Sequence, residues 1–244
     1  MMTRLALVGM GKMGQTIKSL ALQHNFAVVH EIDSYEQLII SDLSTVDGAI
    51  EFSTPHAAEK NIIACLASGV PVICGTTGWL DQLSKVENFV RQKNGTFLYA
   101  SNFSVGMNIT FQLNRQLAQF MKAFPDFKPS LKEIHHVHKL DQPSGTAKTL
   151  ADDLVKILPG YEKWKLKNKI EGTSKEVIPI DSLREGEVNG IHEVVFRSDS
   201  EEVMIRHDAF DRTIFAKGAL MAAQWIKDKK GIFTFSDLLN FKDE

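Results

Sequence analysis

The sequence predicts an α/β protein: a parallel sheet with helices on both faces, plus a second α+β portion with a mixed or antiparallel sheet. Three observations lead there. Apolar runs of strand length alternate with helical stretches through about the first 100 residues. A glycine-rich turn follows the first of those strands directly. Far downstream, two β-rich runs, 188–197 and 202–207, flank Asp199-Ser200 as an antiparallel hairpin does.

The elements can be taken in order. Leu5-Ala6-Leu7-Val8 is a continuous apolar run, as a strand buried on both faces requires. Met13, Ile17, Leu20 and Ala21 recur at helical spacing. Strands are expected at 27–32, 49–52, 71–74 and 97–100, with helices over 56–68 and 80–93, each stopped by a glycine, Gly69 and Gly95. Past Gly106 a long helix is expected over 108–121, with Ile109, Leu113, Gln116, Leu117 and Phe120 near one face. A strand over 131–136 leads through a polar loop into a helix carrying Ala147, Leu150, Ala151, Leu154 and Leu158 on one stripe. The stretch 160–177, rich in Lys, Glu and Gly, reads as a flexible surface excursion, and 214–227 as an alanine-rich helix with a short tail after it.

Composition sets bounds. A chain of 244 residues, 43% apolar and 24% charged, has the material for one large domain or two modest ones. A net charge of −2 gives no bulk attraction to nucleic acid or an anionic membrane. Cys65 and Cys74 both sit in apolar runs and read as buried free thiols. No run reaches the roughly 20 apolar residues of a membrane span, and the first apolar run is too short for a secretory leader. A cytoplasmic location is expected.

Gly9-Met10-Gly11-Lys12-Met13-Gly14 fits the G-x-G-x-x-G turn of a Rossmann-type dinucleotide-binding unit, where a helix start offers N–H groups to phosphates. Asp33, 19 positions after Gly14, stands where a ribose-binding acid is expected. Glu31 is its rival, but lies within the strand. No Lys or Arg occurs between Asp33 and residue 60, so a 2′-phosphate would find no local cation; NADH is expected over NADPH. Further strand ends carry small polar loops: Phe52-Ser53-Thr54-Pro55, Gly75-Thr76-Thr77-Gly78 and Ala100-Ser101-Asn102-Phe103. The elements divide as 1–104 with 216–244 for the dinucleotide-binding domain, and 105–215 for a substrate-binding domain.

Chemistry concentrates in Glu133-Ile134-His135-His136-Val137-His138-Lys139 and the loop that follows. If the strand persists to His136, His135 and His136 face opposite ways. Ser144-Gly145-Thr146 at a helix start makes an anion site of backbone N–H groups, to which Lys139 adds charge. A carboxylate substrate fits there, with histidine or lysine as proton donor. A zinc site at His136 and His138 lacks supporting ligand spacing, and no metal is expected. A polar loop that only caps a helix is the bland alternative. His192 and His207, in the hairpin, stay open.

Glu133–Ala147 resembles the signature of the dihydrodipicolinate (4-hydroxy-tetrahydrodipicolinate) reductase family of lysine and diaminopimelate biosynthesis. The resemblance extends through the glycine turn, the FSTP and GTTG loops, 100–108, Arg184–Gly186, Gly190–His192 and 212–219, nearly the whole chain. It implies NAD(P)H-dependent reduction of a small cyclic dicarboxylate and a homotetramer assembled through the second domain's sheet. It also implies His135 as proton donor with Lys139 as second catalytic group. His136, Gly145 and Thr146 would hold the substrate. Gly9, Met10, Gly11, Lys12, Met13, Asp33, Gly75, Thr76, Thr77, Ala100, Ser101, Asn102 and Phe103 would line the cofactor. Lys12 replaces the family's usual arginine, and 160–183 is short for the family. The rivals are an aspartate or diaminopimelate dehydrogenase, which would lack the histidine segment, and a nicotinamide-sensing protein without turnover.

Overall fold

The structure is a computed structural model that describes residues 2–170 and 176–240. The chain forms two compact units, Met1–Ser104 with Thr213–Glu244, and Val105–Arg212. The first unit runs β1 (Thr3–Val8), α1 (Lys12–Ala21), β2 (Phe26–Ile32), α2 (Tyr35–Ile40), β3 (Gly48–Glu51), α3 (Pro55–Ala67), β4 (Val72–Cys74), α4 (Leu83–Lys93) and β5 (Thr96–Tyr99). After the second unit it adds α7 (Thr213–Ile226), β11 (Gly231–Thr234) and α8 (Phe235–Leu238). The sheet order is β11-β5-β4-β3-β1-β2, parallel throughout.

The unbroken apolar run in β1 now has its reason. Ala6 and Val8 pack on one face of the sheet with Ile62 and Cys65 of α3. Leu5 and Leu7 pack on the other with Ile17 of α1 and Leu220 of α7. Since β1 lies between β3 and β2, strand order reverses there, and the loops after β1 and β3 flank the crevice of an open α/β sheet. Cys65 and Cys74 are buried free thiols, and burial pushes the Cys65 thiol up to about 12.

Three details differ from expectation in this unit. Helix α2, capped by the Ser34 hydroxyl accepting the Gln37 N–H at 3.2 Å, carries too short a pattern to read. Helix α4 stops at Asn94 in the left-handed region (φ 48°), one residue before Gly95. The expected tail beyond Lys227 contains β11, which pairs with β5 as a sixth strand.

The second unit comprises α5 (Val105–Met121), β6 (Lys128–His135), α6 (Gly145–Ile157), β7 (Lys163–Leu166), β8 (Val177–Arg184), β9 (Ile191–Arg197) and β10 (Glu202–Asp208). Its sheet order is β10-β9-β6-β8-β7. The β9–β10 hairpin and the β6–β9 pair are antiparallel, whereas β6–β8 and β7–β8 are parallel, so the sheet is mixed. Leu131, Ile180, Val194 and Phe196 pack beneath Phe111 of α5 and the α6 stripe, all five of whose predicted residues are buried.

One reading needs correction here. The stretch 160–177 is not a loop throughout: Lys163–Leu166 forms an edge strand on β8, while 171–175 lie outside the described residues. On α5, Ile109, Leu113 and Phe120 point outward, and Met107, Thr110, Phe111, Asn114 and Ala118 point in. Asn114 donates to the Leu150 carbonyl at 3.1 Å, a bond that selects the more polar face of α5 for α6.

Candidate active site

The glycine turn fulfils three separate steric demands. A Cβ on Gly9 (φ +94°) would lie 2.1 Å from the Phe52 carbonyl oxygen, and one on Gly14 would lie 2.2 Å from the Gly9 oxygen. Gly11 has nothing within 4 Å on that side, and as the first residue before α1 it offers no side-chain cap. The first N–H groups of α1 are therefore left for a ligand. Gly9, Gly11, Asp33, Tyr35, Ser53 and Thr54 border a cavity of about 260 Å³. This open backbone fits the pyrophosphate of a nicotinamide nucleotide.

Asp33 stands just past β2 and accepts the Met10 N–H at 3.0 Å, so its carboxylate lies over the turn. Glu31 is taken by Lys18 at 2.8 Å. Met10 and Met13 are half-buried, and Lys12 is exposed at the helix start. The later loops divide by depth. Gly75 abuts the Phe52 ring, and the buried Thr76 accepts the Ser53 N–H at 2.8 Å. Ala100 and Phe103 are buried, so they can meet a ligand only through backbone, whereas Thr77 and Ser101 are exposed and Asn102 is half-buried. Beneath these loops Glu51, fully buried, accepts from the Ser53 hydroxyl, from the Ser53 N–H at 3.1 Å and from the Cys74 thiol at 3.1 Å.

In the second unit, strand register builds the chemistry. Glu133 and His135 share one face of β6 at a spacing of two. Glu133 lies opposite Ser182 on β8 and His192 on β9, and His135 lies opposite Arg184. The buried Glu133 accepts at Oε1 from the Ser144 N–H at 2.9 Å and the Ser182 hydroxyl at 2.5 Å, with Arg184 Nη1 at 3.6 Å. Its Oε2 faces His135 Nδ1 at 3.4 Å and His192 Nε2 at 3.7 Å. The two imidazoles meet edge to face, 5.1 Å between centroids.

Burial pushes the Glu133 carboxyl up, but hydrogen bonds from Ser144 and Ser182 outweigh it and hold the group below its ordinary value. Burial drives His135 down to about 4 against the pull of Glu133, with Lys139 and Arg184 adding to the fall. Burial likewise takes His192 to about 3. At neutral pH the cluster is one carboxylate beside two neutral rings. Among the described residues Glu133, His135 and His192 also form the one group of three such side chains that could hold a metal ion. Arg184 beside it carries a positive charge that opposes a further cation.

The loop after β6 is held by Arg184, which donates to the carbonyls of Lys139 at 3.2 Å and Asp141 at 2.5 Å. Lys139 pairs with Asp141 at 2.7 Å. The strand ends at His135, so His136 leaves the ladder and accepts from Arg212 at 2.9 Å. His138 lies exposed beside Glu187, 3.3 Å away. Ser144 caps α6 by accepting the Ala147 N–H at 3.1 Å. One expectation changes: the Ser144 N–H is spent on Glu133, which leaves Gly145 and Thr146 as the anion-facing part of that turn. A Cβ added at Gly145 would meet nothing within 4 Å.

Sequence reading gave no role to Glu133, Ser182, Arg184 or Arg212 and left His192 open. The Glu-x-His spacing was the available signal for Glu133, because alternate strand residues share a face. The others come from β8, β9 and the segment after β10, and only the pairing register reveals them.

Glycines shaped for a pyrophosphate on one unit and a buried neutral imidazole among cations on the other meet the needs of a nicotinamide-dependent oxidoreductase. That is the class to which fold and site assign the chain. More narrowly, the chain belongs to the dihydrodipicolinate reductase family: the family's N-terminal model matches residues 3–103 and its C-terminal model residues 106–239. A 4-hydroxy-tetrahydrodipicolinate reductase of Christiangramia forsetii is 41% identical over 97% of each chain. One from Akkermansia muciniphila is 35% identical over 94% of each. Among solved structures, a dipicolinate-bound dihydrodipicolinate reductase from a Paenisporosarcina species shares the fold, with a TM-score of 0.73, 24% identity, and coverage of 97% of this chain and 99% of that one. An aspartate dehydrogenase from Thermotoga maritima shares it more loosely, at a TM-score of 0.50 and 13% identity over 94% of this chain and 98% of that one.

Proposed function

We infer that this chain reduces dihydrodipicolinate, the conjugated imine formed when 4-hydroxy-tetrahydrodipicolinate loses water, to tetrahydrodipicolinate with a reduced nicotinamide nucleotide, a step of lysine and diaminopimelate biosynthesis. The observation that carries the reading is the buried, neutral His135 bordered by Lys139, Arg184 and the first turn of α6. The nucleotide, when bound, supplies hydride to the substrate's conjugated imine. The chain's own groups orient the dicarboxylate and deliver the proton. Gly145 and Thr146 offer N–H groups to one carboxylate, and Lys139 and His136 offer further contacts. A bound dianion adds negative charge beside His135, offsetting Lys139 and Arg184 and raising the ring's proton affinity. His135 then protonates the substrate as negative charge develops on it.

On the nucleotide side, Gly9 to Met13, Gly75 to Thr77 and Ala100 to Phe103 supply backbone, and Asp33 takes the ribose hydroxyls. A carboxylate at that point with no Lys or Arg from 34 to 59 favours NADH over NADPH. The reading includes a homotetramer joined through the sheet face around Ser130, Lys132, Pro179 and Met204, which forms a recess of about 910 Å³. The reading entails a cytoplasmic location. No helix of the described residues is long and apolar enough to cross a membrane.

The test is loss of reduced-nicotinamide absorbance with substrate generated freshly by dihydrodipicolinate synthase. Turnover is expected with both nucleotides and faster with NADH. No absorbance loss at saturating enzyme would favour a nucleotide-sensing protein instead. Light scattering on the purified chain reads the tetramer, and a monomer would overturn that part.

A further inference from the structure

We propose that Glu133 is a positioning residue for His135, and that its two oxygens tie the imidazole and the first turn of α6 into one unit. The inference rests on the reading of His135 as proton donor. Oε1 and Oε2 have different tasks. Oε1 is saturated by the Ser144 N–H, the Ser182 hydroxyl and the nearby Arg184. Oε2 has no hydrogen-bond partner of normal length; the nearest polar atoms are His135 Nδ1 at 3.4 Å and His192 Nε2 at 3.7 Å. A buried carboxylate oxygen can only accept, and a neighbouring ring N–H is what can satisfy it.

Placing the proton of neutral His135 on Nδ1, toward Glu133, leaves Nε2 bare. That atom points toward Gly190, where an added Cβ would stand 3.1 Å away, so a glycine there keeps Nε2 unobstructed. The proton to be donated therefore arrives on and leaves from Nε2, while Nδ1 stays anchored. His192 completes the cradle: its ring lies edge-on to His135, and its Nε2 is 3.3 Å from the Ser144 hydroxyl. Since Ser144 is also the cap of α6, a shift of Glu133 moves proton donor and carboxylate-binding turn together.

The titratable groups facing His135 come from four directions: the carboxylate of Glu133 on its own strand, Lys139 and Asp141 on the following loop, Arg184 on β8 and the neutral His192 on β9. Glu133→Gln removes the anion closest to the ring and leaves Lys139 and Arg184 opposing its protonation. An acid catalyst is active only while protonated, so the high-pH fall of kcat should begin at least about one pH unit lower in Glu133→Gln. The same variant should lose about 100-fold in kcat, with KM changed less. Glu133→Asp should recover part of kcat and move the fall back toward the wild-type pH.

A second measurement does not depend on catalysis. Nitrogen-15 imidazole spectra of the wild-type chain should show His135 protonated at Nδ1 and bare at Nε2, and Glu133→Gln should shift that balance. His135 protonated at Nε2 in the wild type would overturn the proposal. So would a Glu133→Gln pH profile that superimposes on the wild type while His135→Gln is inactive. If His135→Gln itself keeps full kcat, the proton-donor reading fails instead, and the imidazole spectra still decide whether Glu133 anchors the ring.

Discussion

Replacing Asp33 by alanine isolates the choice of nucleotide. Asp33 is exposed at the end of β2, and its carboxylate accepts the Met10 N–H at 3.0 Å. A ribose hydroxyl donating to a carboxylate is worth about 1.5–3 kcal/mol, so NADH should lose about 10- to 100-fold in kcat/KM. A 2′-phosphate brings roughly 1.5–2 further negative charges. Two unit charges 4 Å apart repel by about 1 kcal/mol in water and about 4 kcal/mol near a protein surface. Solvent exposure puts Asp33 toward the lower figure, so its removal should relieve NADPH of about 1–2 kcal/mol. The two effects add to about 2.5–5 kcal/mol in the ratio of kcat/KM values, which should move at least about 50-fold toward NADPH. Loss of the Met10 contact loosens the glycine turn for both nucleotides and cancels in that ratio. Steady-state kinetics with each nucleotide measures it. A ratio that moves less than about 3-fold while both values fall would show that Asp33 only supports the turn, and a wild type preferring NADPH would refute the reasoning outright.

Other outcomes follow from the same geometry. His135→Gln should lower kcat by about 10²–10⁴-fold with nucleotide binding by fluorescence unchanged. Lys139→Ala should raise KM for the dicarboxylate as well as lower kcat, because the substitution takes a positive charge from the anion site; an unchanged KM would place Lys139 outside it. Gly9→Ala puts a Cβ 2.1 Å from a backbone oxygen at φ +94°, so it should cost at least about 2 kcal/mol in urea unfolding and weaken nucleotide binding. In acid, the buried rings matter. His192 is held near 3 and His135 near 4, both below the ordinary 6.5. Their neutral forms are favoured by folding, so this stability is fully present above about pH 6.5 and is lost as pH falls toward 3. For His192 alone the ceiling is on the order of 5 kcal/mol. Urea unfolding at stepped pH should show a shallower acid loss in His192→Asn, and an unchanged slope would contradict the assignment.

Much of the fold was legible because it rests on local pattern. The β1 run, the glycine turn and the α6 stripe each carry their period in the residues themselves. What escaped depends on partners distant in sequence. Lys163–Leu166 alternates Lys with apolar residues and becomes a strand because β8 lies beside it. Gly231–Thr234 is four residues long and gains its identity only from β5. The α5 face was ambiguous because a buried asparagine, satisfied by a carbonyl of α6, cannot be told from an exposed one by periodicity. In the site, the histidine segment was conspicuous, but the groups around Glu133 are supplied by cross-strand register, and the use of the Ser144 N–H by a carboxylate 11 residues earlier is a tertiary fact.

The return of the chain to its first sheet has a consequence for synthesis. Residues 105–212 form a contiguous unit with its own core, whereas the sheet built on β1 lacks an edge strand and the covering helix α7 until residues 213–234 exist. On the ribosome the inserted unit can finish folding while the nucleotide-binding one is still incomplete, with Ile50, Ile73 and Leu98 uncovered on the face that α7 will close. The interval before α7 emerges is thus the stage at which nascent chains are most open to aggregation. A stalled chain ending before Thr213 should be protease-sensitive in its first 104 residues and resistant across the insertion.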